Sequence, residues 1–346
     1  MKPQPKRWLR RLASTRLTLL GMALLAVGAG LSYDNPDHIS AWVLTAPLLF
    51  LAVNLLAAIL TQPGINRRPG LLVFHLGLLA ICILAAIGRL THFESRVELS
   101  QGSAFDPRAM EEITQGPWHP GELEKVRFVQ QDYTVEYRAG LVRGKTRSHV
   151  LIPDGDRGWE RVVVGDDTPL IIDGYRFYTT FNKGFAAVLT WFPPQGQAVT
   201  GTLHMPSYPL FEYKQANSWT PPGSDEEIKF WLRLETGYDL ESAWTLDGEK
   251  TTGVLVVNDG QKRVELGPGE GVELPGGYLR YEALSTWMGY KVFYDPTLKW
   301  LFIAAMMTVL GLSLHYWHKF RLQPLAETTA RQGQTEAMTD YKVRNS

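Results

Sequence analysis

The stretch that decides the fold is LLVFHLGLLAICILAAIG, at residues 71–88. Every residue in it is apolar or glycine except His75, which stands at its fifth position. About 20 mostly apolar residues are enough for a helix to cross the hydrocarbon core of a membrane. The sequence therefore predicts a membrane-spanning helix that carries an imidazole.

Three other stretches have the length and apolar character of membrane spans. The first follows a basic segment, as a signal peptide would, but AGLSYDNPD at residues 29–37 is a poor cleavage site and a second apolar run follows closely. We therefore expect four retained transmembrane helices, at residues 17–33, 41–60, 71–89 and 299–318.

Lysine and arginine near the span ends predict the orientation of these helices. They occur in the N-terminal segment 1–16, before the third span (Arg67 and Arg68) and after the fourth (Lys319 and Arg321). The short connection 34–40 has neither residue. Because basic residues are retained on the cytoplasmic side, we expect a multi-pass membrane protein with both termini in the cytoplasm. The polar tail, 319–346, is predicted to be disordered.

Residues 91–298 form a long, more polar stretch without a helical period, and we expect them to be extracytoplasmic. Short runs alternate apolar and polar residues, as in VRFVQQDYTVEYRAG, where Tyr133, Val135 and Tyr137 share one face. Alternation punctuated by Gly, Pro and Asp is typical of antiparallel sheet. The predicted fold is a four-span α-helical bundle with a large, sandwich-like all-β domain inserted between spans three and four.

Composition and motifs exclude several functions. The net charge is zero, from 35 basic and 35 acidic residues, which gives no basis for nucleic-acid binding. Cys82 is the single cysteine, so the chain has no internal disulfide, no CxxC pair and no CxxCH site for covalent haem. GxSxG, HExxH and P-loop motifs are also missing. We therefore assign no catalytic residue.

His75 is the main candidate for a functional site. It lies about 7–8 Å inside the predicted boundary of its span, from a rise of 1.5 Å per residue. An imidazole at that depth is hydrogen-bonded, faces a cavity or binds a ligand. Neutral imidazole is a good ligand for haem iron. Position alone leaves two interpretations open for His75, a hydrogen bond to a neighbouring helix and haem ligation.

Other histidines provide alternatives. His315, in the last turn of the fourth span, lies at a depth comparable to that of His75, so a bis-histidine site is geometrically possible. Together with His318 it also fits an aromatic and basic belt at the membrane surface. His92 lies just beyond the third span, where it could meet a ligand that leaves the membrane. Asn54, in the second span, is predicted to form a hydrogen bond between helices.

Four passages resemble the ResB family of cytochrome c biogenesis proteins, the haem-handling subunits of System II. They are FHLGLLAICILAAIGRLTHFESRVELSQGSAF (74–105), FVQQDYTVEYRAG (128–140), DDTPLIIDGYRFYTTF (166–181) and GYKVFYDPTLKWLFIAAMMTVLGLSLHYW (289–317). The likeness covers roughly residues 12–320, and it lies more in order and spacing than in exact residues.

The resemblance implies a subunit of the bacterial inner membrane that binds haem b within the membrane. With a CcsA (ResC)-type partner, such proteins export haem and attach its vinyl groups to the CxxCH thiols of apocytochrome c. The resemblance makes His75 an axial ligand of the haem iron, with the counterpart histidine in the partner. The tryptophan-rich WxWDP segment of that partner is missing here, so this chain is not expected to complete the reaction alone. Its lone cysteine also implies a separate thiol-reducing protein.

Two other functions remain open from the sequence. The first is a membrane subunit for electron transfer that holds haem b permanently between His75 and His315. The second is an envelope scaffold without haem, whose β-domain binds another protein. The optical spectrum of the purified protein separates the scaffold from the two haem proteins.

Overall fold

The computed structural model describes residues 7–34, 39–210, 214–222, 226–235 and 241–322. The chain divides into two compact units. The helical unit draws on residues 1–92, 115–119 and 295–346, and the β unit on residues 93–114 and 120–294. Parts of the predicted N-terminal segment, of the connection 34–40 and of the polar tail lie outside the described residues.

The described part of the helical unit contains six helices. They are α1 (Arg7–Leu12), α2 (Thr15–Asp34), α3 (Trp42–Thr61), α4 (Pro63–Asn66), α5 (Pro69–Thr91) and α6 (Leu298–Leu322). Helices α2, α3, α5 and α6 are long and apolar enough to cross a membrane. The four predicted spans are thereby confirmed as helices, and together they indicate a multi-pass membrane protein. Each begins within two residues of its predicted start, and α6 continues past the predicted end.

Asn54 of α3 is the polar link between the first helices of this unit. Its amide oxygen accepts a hydrogen bond from Thr18 of α2, at 2.7 Å, and its nitrogen donates to the carbonyl oxygens of Ser14 and Leu12. The predicted hydrogen bond between helices is therefore confirmed. An amide buried in an apolar environment needs such partners, because an unpaired polar group there is costly.

The described part of the β unit contains fifteen strands. They are β1 (Phe93–Ser100), β2 (Glu111–Gln115), β3 (Val129–Arg138), β4 (Val142–Pro153), β5 (Trp159–Gly165), β6 (Leu170–Ile172), β7 (Tyr175–Phe192), β8 (Val199–His204), β9 (Ala216–Trp219), β10 (Ile228–Leu234), β11 (Trp244–Asp247), β12 (Gly253–Asn258), β13 (Arg263–Leu266), β14 (Gly271–Leu274) and β15 (Gly277–Tyr294). The predicted all-β region is confirmed.

The strands form three sheets. The largest has seven strands in the order β2-β1-β15-β7-β6, with β14 beside β15 and β8 beside β7. The other two have four strands each, β13-β12-β10-β9 and β11-β3-β4-β5. The pairings of β1, β7 and β15 at the centre of the largest sheet are antiparallel. Asp173 and Gly174, both with positive φ, form the two-residue turn that joins β6 to β7.

The three sheets contribute to one apolar core. Tyr133, Val135 and Tyr137 of β3 are all buried in it, as their alternation predicts. The hydroxyl of Tyr290, on β15, lies 2.7 Å from Ser148 Oγ of β4, so the sheet that contains β4 faces the largest sheet. Packing of sheets through their inner faces is the arrangement of a β-sandwich.

Candidate functional site

His75 lies in the second turn of α5, and its tautomer follows from one contact. Its Nδ1 is 2.6 Å from the carbonyl oxygen of Leu71, one turn earlier in the same helix. A carbonyl oxygen only accepts hydrogen bonds, so Nδ1 carries the proton. In neutral imidazole the free lone pair is then on Nε2. Among the described residues, none forms a hydrogen bond with Nε2 of His75. A backbone carbonyl on one ring nitrogen is the usual way in which a protein orients a histidine whose other nitrogen binds a metal.

The interface between α5 and α6 is formed by small residues. A methyl group on Gly70 would lie 2.6 Å from the backbone nitrogen of His315, and one on Gly311 would meet the backbone of Phe74. A methyl group on Gly77 would lie 2.8 Å from the backbone nitrogen of Thr308. Glycines at such positions let two membrane helices approach with their backbones nearly in contact. This interface fixes the position of α5, and of His75 with it, relative to α6.

His75 and His315 occupy different sides of this interface. The backbone of His315 contacts Gly70, which lies on the side of α5 that faces α6. His75 comes five residues after Gly70, which corresponds to a rotation of about 140° around the helix axis and a rise of about 7.5 Å. A pair of axial ligands must face each other across one metal. The backbone arrangement therefore does not direct His75 and His315 toward a common metal.

A cavity of about 540 Å³ lies where α5 begins and α6 ends. We call it the basic cavity, because five of its seven lining residues are arginine, lysine or histidine. The lining residues are Arg67, Arg68, Pro69, Gly70, His315, His318 and Lys319. Among the described residues, no acidic side chain lines this cavity, so the lining suits an anionic ligand.

The opposite end of α5 is capped by the segment Gln115–His119. The backbone nitrogens of Gly116 and Trp118 donate hydrogen bonds to the carbonyl oxygens of His92 and Leu90, at 2.9 and 2.8 Å. These bonds satisfy carbonyl groups that every helix leaves unpaired at its C-terminus. Gly116 is required here, because a methyl group at that position would collide with the Leu90 carbonyl oxygen.

Two histidines are brought together at this capped end. His92 directs Nδ1 to the carbonyl oxygen of Arg89, at 2.9 Å, and His119 directs Nδ1 to that of Thr91, at 3.3 Å. Partial burial lowers the pKa of His119, so its ring is held neutral to lower pH than in water. The structure thus adds His119 to the neighbourhood of His92, which sequence spacing alone does not reveal.

The histidines of the β unit have structural partners. His149 Nδ1 lies 3.0 Å from the carboxylate of Asp132. His204 stacks on Trp287, with ring centroids 5.1 Å apart, and its Nε2 lies 2.8 Å from Ser100 Oγ. Across the described residues, no three His, Cys, Asp or Glu side chains form a group suited to a metal ion.

A sequence model of the ResB-like family aligns with residues 51–208, which include His75. Over this range the chain is similar to the ResB-like family. The match covers just under half of the chain, and it confirms the resemblance predicted from the sequence. It supports a role in cytochrome c biogenesis.

Among solved structures, cytochrome c haem lyase CcmF is similar to this chain at 14% sequence identity, with a TM-score of 0.28. The alignment covers 88% of this chain and 35% of CcmF, so the chain spans about a third of the length of that protein. A TM-score of this size is too low to establish a common fold. No curated protein matches the chain.

The structure adds two features that the sequence did not reveal, the nitrogen of His75 that is available to a ligand and the basic cavity. The sequence predicted His75 as the candidate ligand, and the bond to Leu71 now identifies the nitrogen that is available. The basic cavity was not predicted, because Arg67, Arg68 and Lys319 were interpreted as signals of orientation alone. Their common location depends on the pairing of α5 with α6, and the glycines at positions 70, 77 and 311 were the signal that could have indicated that pairing.

Proposed function

We propose that this ResB-like chain is the haem-handling subunit of a System II complex for cytochrome c biogenesis. It binds haem b within the membrane through His75 and acts with a CcsA/ResC-type partner. The complex exports the haem and supports its attachment to the CxxCH motif of apocytochrome c. The observation that carries the proposal is the geometry of His75, whose Nδ1 is bound to Leu71 and whose Nε2 is left for iron.

The side chains around His75 suit a porphyrin. Phe74 packs edge-on against the imidazole, with ring centroids 5.0 Å apart. The next two turns of α5 contain Leu78, Leu79 and Cys82, which are partly buried and apolar or weakly polar. An apolar helix face with one convergent imidazole is the environment that a protein uses to hold a haem.

The second axial ligand is proposed to come from the partner. The contact between His315 and Gly70 leaves His315 on the side of α5 that faces α6, away from His75. A resident haem held between His75 and His315 would require one of the two helices to rotate. A ligand supplied by another chain requires no such change, and it leaves the haem free to be passed on.

The proposed orientation places the basic cavity at the cytoplasmic face and the β unit outside. Arg67 and Arg68 indicate the cytoplasmic side of the bilayer. In this orientation His75 is near the leaflet where haem is synthesised. Haem attachment adds each CxxCH thiol across a vinyl double bond, and both thiols must be reduced for this addition. Cys82 is the single cysteine and cannot act as a dithiol donor. A separate reductant is therefore part of the proposal.

The test is co-expression of the chain with a CcsA/ResC-type partner and a CxxCH reporter, read out by haem staining and by the optical spectrum of the purified complex. We expect His75→Ala to reduce bound haem and stained reporter at least about tenfold, since it removes an iron ligand. We expect His75→Gly with added imidazole to restore both. Leu76→Ala is the matched control, because it truncates an exposed side chain at the next position of α5.

Three results would contradict the proposal. Haem content that is unchanged in His75→Ala would remove His75 from the site. A haem spectrum that persists without the partner and is lost in His315→Ala would instead favour a resident haem for electron transfer. Absence of haem from the wild-type complex, with normal assembly, would favour a scaffold.

A further inference from the structure

The basic cavity contains positive charge that no acidic residue in the described part of the chain neutralises. Arg67, Arg68 and Lys319 have no ion-pair partner within the described part of the chain. In the β unit, by contrast, the pocket-lining Arg143 pairs with Asp166. His315 and His318 add two further nitrogen donors to the lining. A ligand with more than one negative charge fits this cavity better than a neutral one.

Arg68 lines the basic cavity at the beginning of α5, the helix that carries His75. It is the N-cap residue of α5, and its carbonyl oxygen accepts the first bond of the helix, from Leu72 at 2.9 Å. His75 follows seven residues later, which corresponds to about 10 Å along the axis of α5. A ligand that extends this far along α5 from His75 reaches the end of the helix where Arg68 lines the basic cavity.

We propose that Arg68 pairs with a propionate carboxylate of the haem whose iron is bound by His75, and that the basic cavity receives the carboxylate end of the molecule. This inference rests on the proposed function. Haem is an apolar plate that carries both of its carboxylates on one edge, and α5 has a similar asymmetry along its axis, from the basic cavity at its beginning to the apolar span that contains His75. The planar guanidinium of arginine suits two-point pairing with a carboxylate.

The pairing gives the bound haem a direction. Iron ligation by His75 alone allows the plate to rotate about the bond from iron to Nε2. A carboxylate held at Arg68 directs the propionate edge toward the end of α5 that carries the basic cavity. The edge that carries the vinyl groups then points along α5 toward His92. Arg68 is thus a positioning residue for the haem.

The experiment compares haem with its dimethyl ester, in which both carboxylates are neutral. The complex of the chain with its CcsA/ResC-type partner, in lipid nanodiscs with and without anionic phospholipid, is titrated with each porphyrin, and the Soret band of the porphyrin is followed. We expect the wild type to prefer haem over the ester by on the order of tenfold, because hydrogen bonds to charged groups contribute more than neutral ones. We expect Arg68→Ala to bind haem about tenfold more weakly and the ester unchanged.

Two further variants complete the comparison. Arg68→Lys retains the charge but loses the two-point geometry, so its preference for haem should be intermediate. Arg16→Ala is the matched control, because Arg16 lies in the first turn of α2, is exposed and does not line the basic cavity. It should bind both porphyrins as the wild type does.

The outcomes distinguish this inference from the function on which it rests. Equal binding of haem and ester by the wild type, with both bands lost in His75→Ala, would overturn the role of Arg68 and leave His75 in place. Absence of both bands from the wild type would overturn the proposed function and this inference together. A preference that is unchanged in Arg68→Ala, with loss only of co-purified anionic lipid, would identify a lipid phosphate site instead. The comparison on the wild type needs no substitution, so it remains informative even where a variant does not fold.

Discussion

Gly77 of α5 lies so close to Thr308 of α6 that a methyl group on Gly77 would come within 2.8 Å of the Thr308 backbone nitrogen. It would also lie 3.0 Å from the Ala304 carbonyl oxygen. Backbone atoms cannot move aside as the end of a flexible side chain can. The contact is therefore possible only for glycine, and it holds together the two helices that the chain separates by the whole β unit.

We expect Gly77→Ala to destabilise the helical unit by about 1–3 kcal/mol, the usual cost of inserting a methyl group into a packed interface. The measurement is the thermal unfolding midpoint of the full chain in detergent, which should fall by several degrees. Gly30→Ala is the control, because no atom lies within 4 Å of the added methyl group in α2. Equal midpoints for the two variants would show that the α5–α6 contact is looser than described.

A closed ring of three buried side chains joins two sheets of the β unit. The Tyr290 hydroxyl donates to Gln130 Oε1 at 2.7 Å, Gln130 Nε2 donates to Ser148 Oγ at 2.9 Å, and Ser148 Oγ lies 2.7 Å from the Tyr290 hydroxyl. All three residues are at most 1% exposed. Removal of the Tyr290 hydroxyl leaves Gln130 Oε1 without its donor and the hydroxyl hydrogen of Ser148 without its acceptor.

We expect Tyr290→Phe to lower the free energy of unfolding of the β unit by about 1–3 kcal/mol, because it leaves buried polar atoms without partners. Adding Ser148→Ala to Tyr290→Phe should cost less than the sum of the single changes, since both remove members of one network. Denaturant unfolding followed by tryptophan fluorescence measures the cycle. Tyr278→Phe serves as the control on a partly exposed hydroxyl of the same strand. Strict additivity would argue against a connected ring.

The elements of the fold were predictable from sequence where one physical signal dominated. The length of an apolar run determined the four spans, and alternation at Tyr133, Val135 and Tyr137 determined the buried face of β3. Alternation does not specify which strands pair, so the neighbours of β15 in the largest sheet were not predictable. They depend on contacts between residues more than a hundred positions apart, as between Phe93 and Tyr294.

The candidate site was predictable in part. An imidazole in an apolar run stands out, so His75 was identified from sequence. The side of α5 that faces α6 was not, because the helix is apolar on all sides and its periodicity carries no direction. Gly70 and Gly77 define that side, and their role is visible only once α6 is placed against them. The basic cavity was not predictable for the same reason, because its residues come from two distant segments, 67–70 and 315–319, that meet only when α6 packs against α5.

Lys183, on β7, has a buried amine, and no carboxylate among the described residues forms an ion pair with it. It is 1% exposed, and its Nζ donates to the carbonyl oxygen of Thr180 at 3.3 Å. Burial, with the nearby charge of Arg143, lowers the pKa of Lys183 from 10.5 to about 7. Between these two values the unfolded chain binds a proton that the folded chain does not. The free energy of unfolding therefore rises with pH in this window, by up to about 1.4 kcal/mol per pH unit.

We expect Lys183→Met to stabilise the β unit at neutral pH and below by on the order of 2 kcal/mol, because it removes the cost of burying the amine. The variant should also lose the rise in stability above pH 7, while the wild type gains stability toward pH 10. Denaturant midpoints at pH 6, 8 and 10, followed by tryptophan fluorescence, measure both effects. Lys291→Met provides the comparison, since Lys291 is half-exposed and pairs with Glu94 at the surface, where ion pairs contribute little. A pH profile of Lys183→Met that parallels the wild type would mean that the amine of Lys183 stays charged in the folded protein and reaches water.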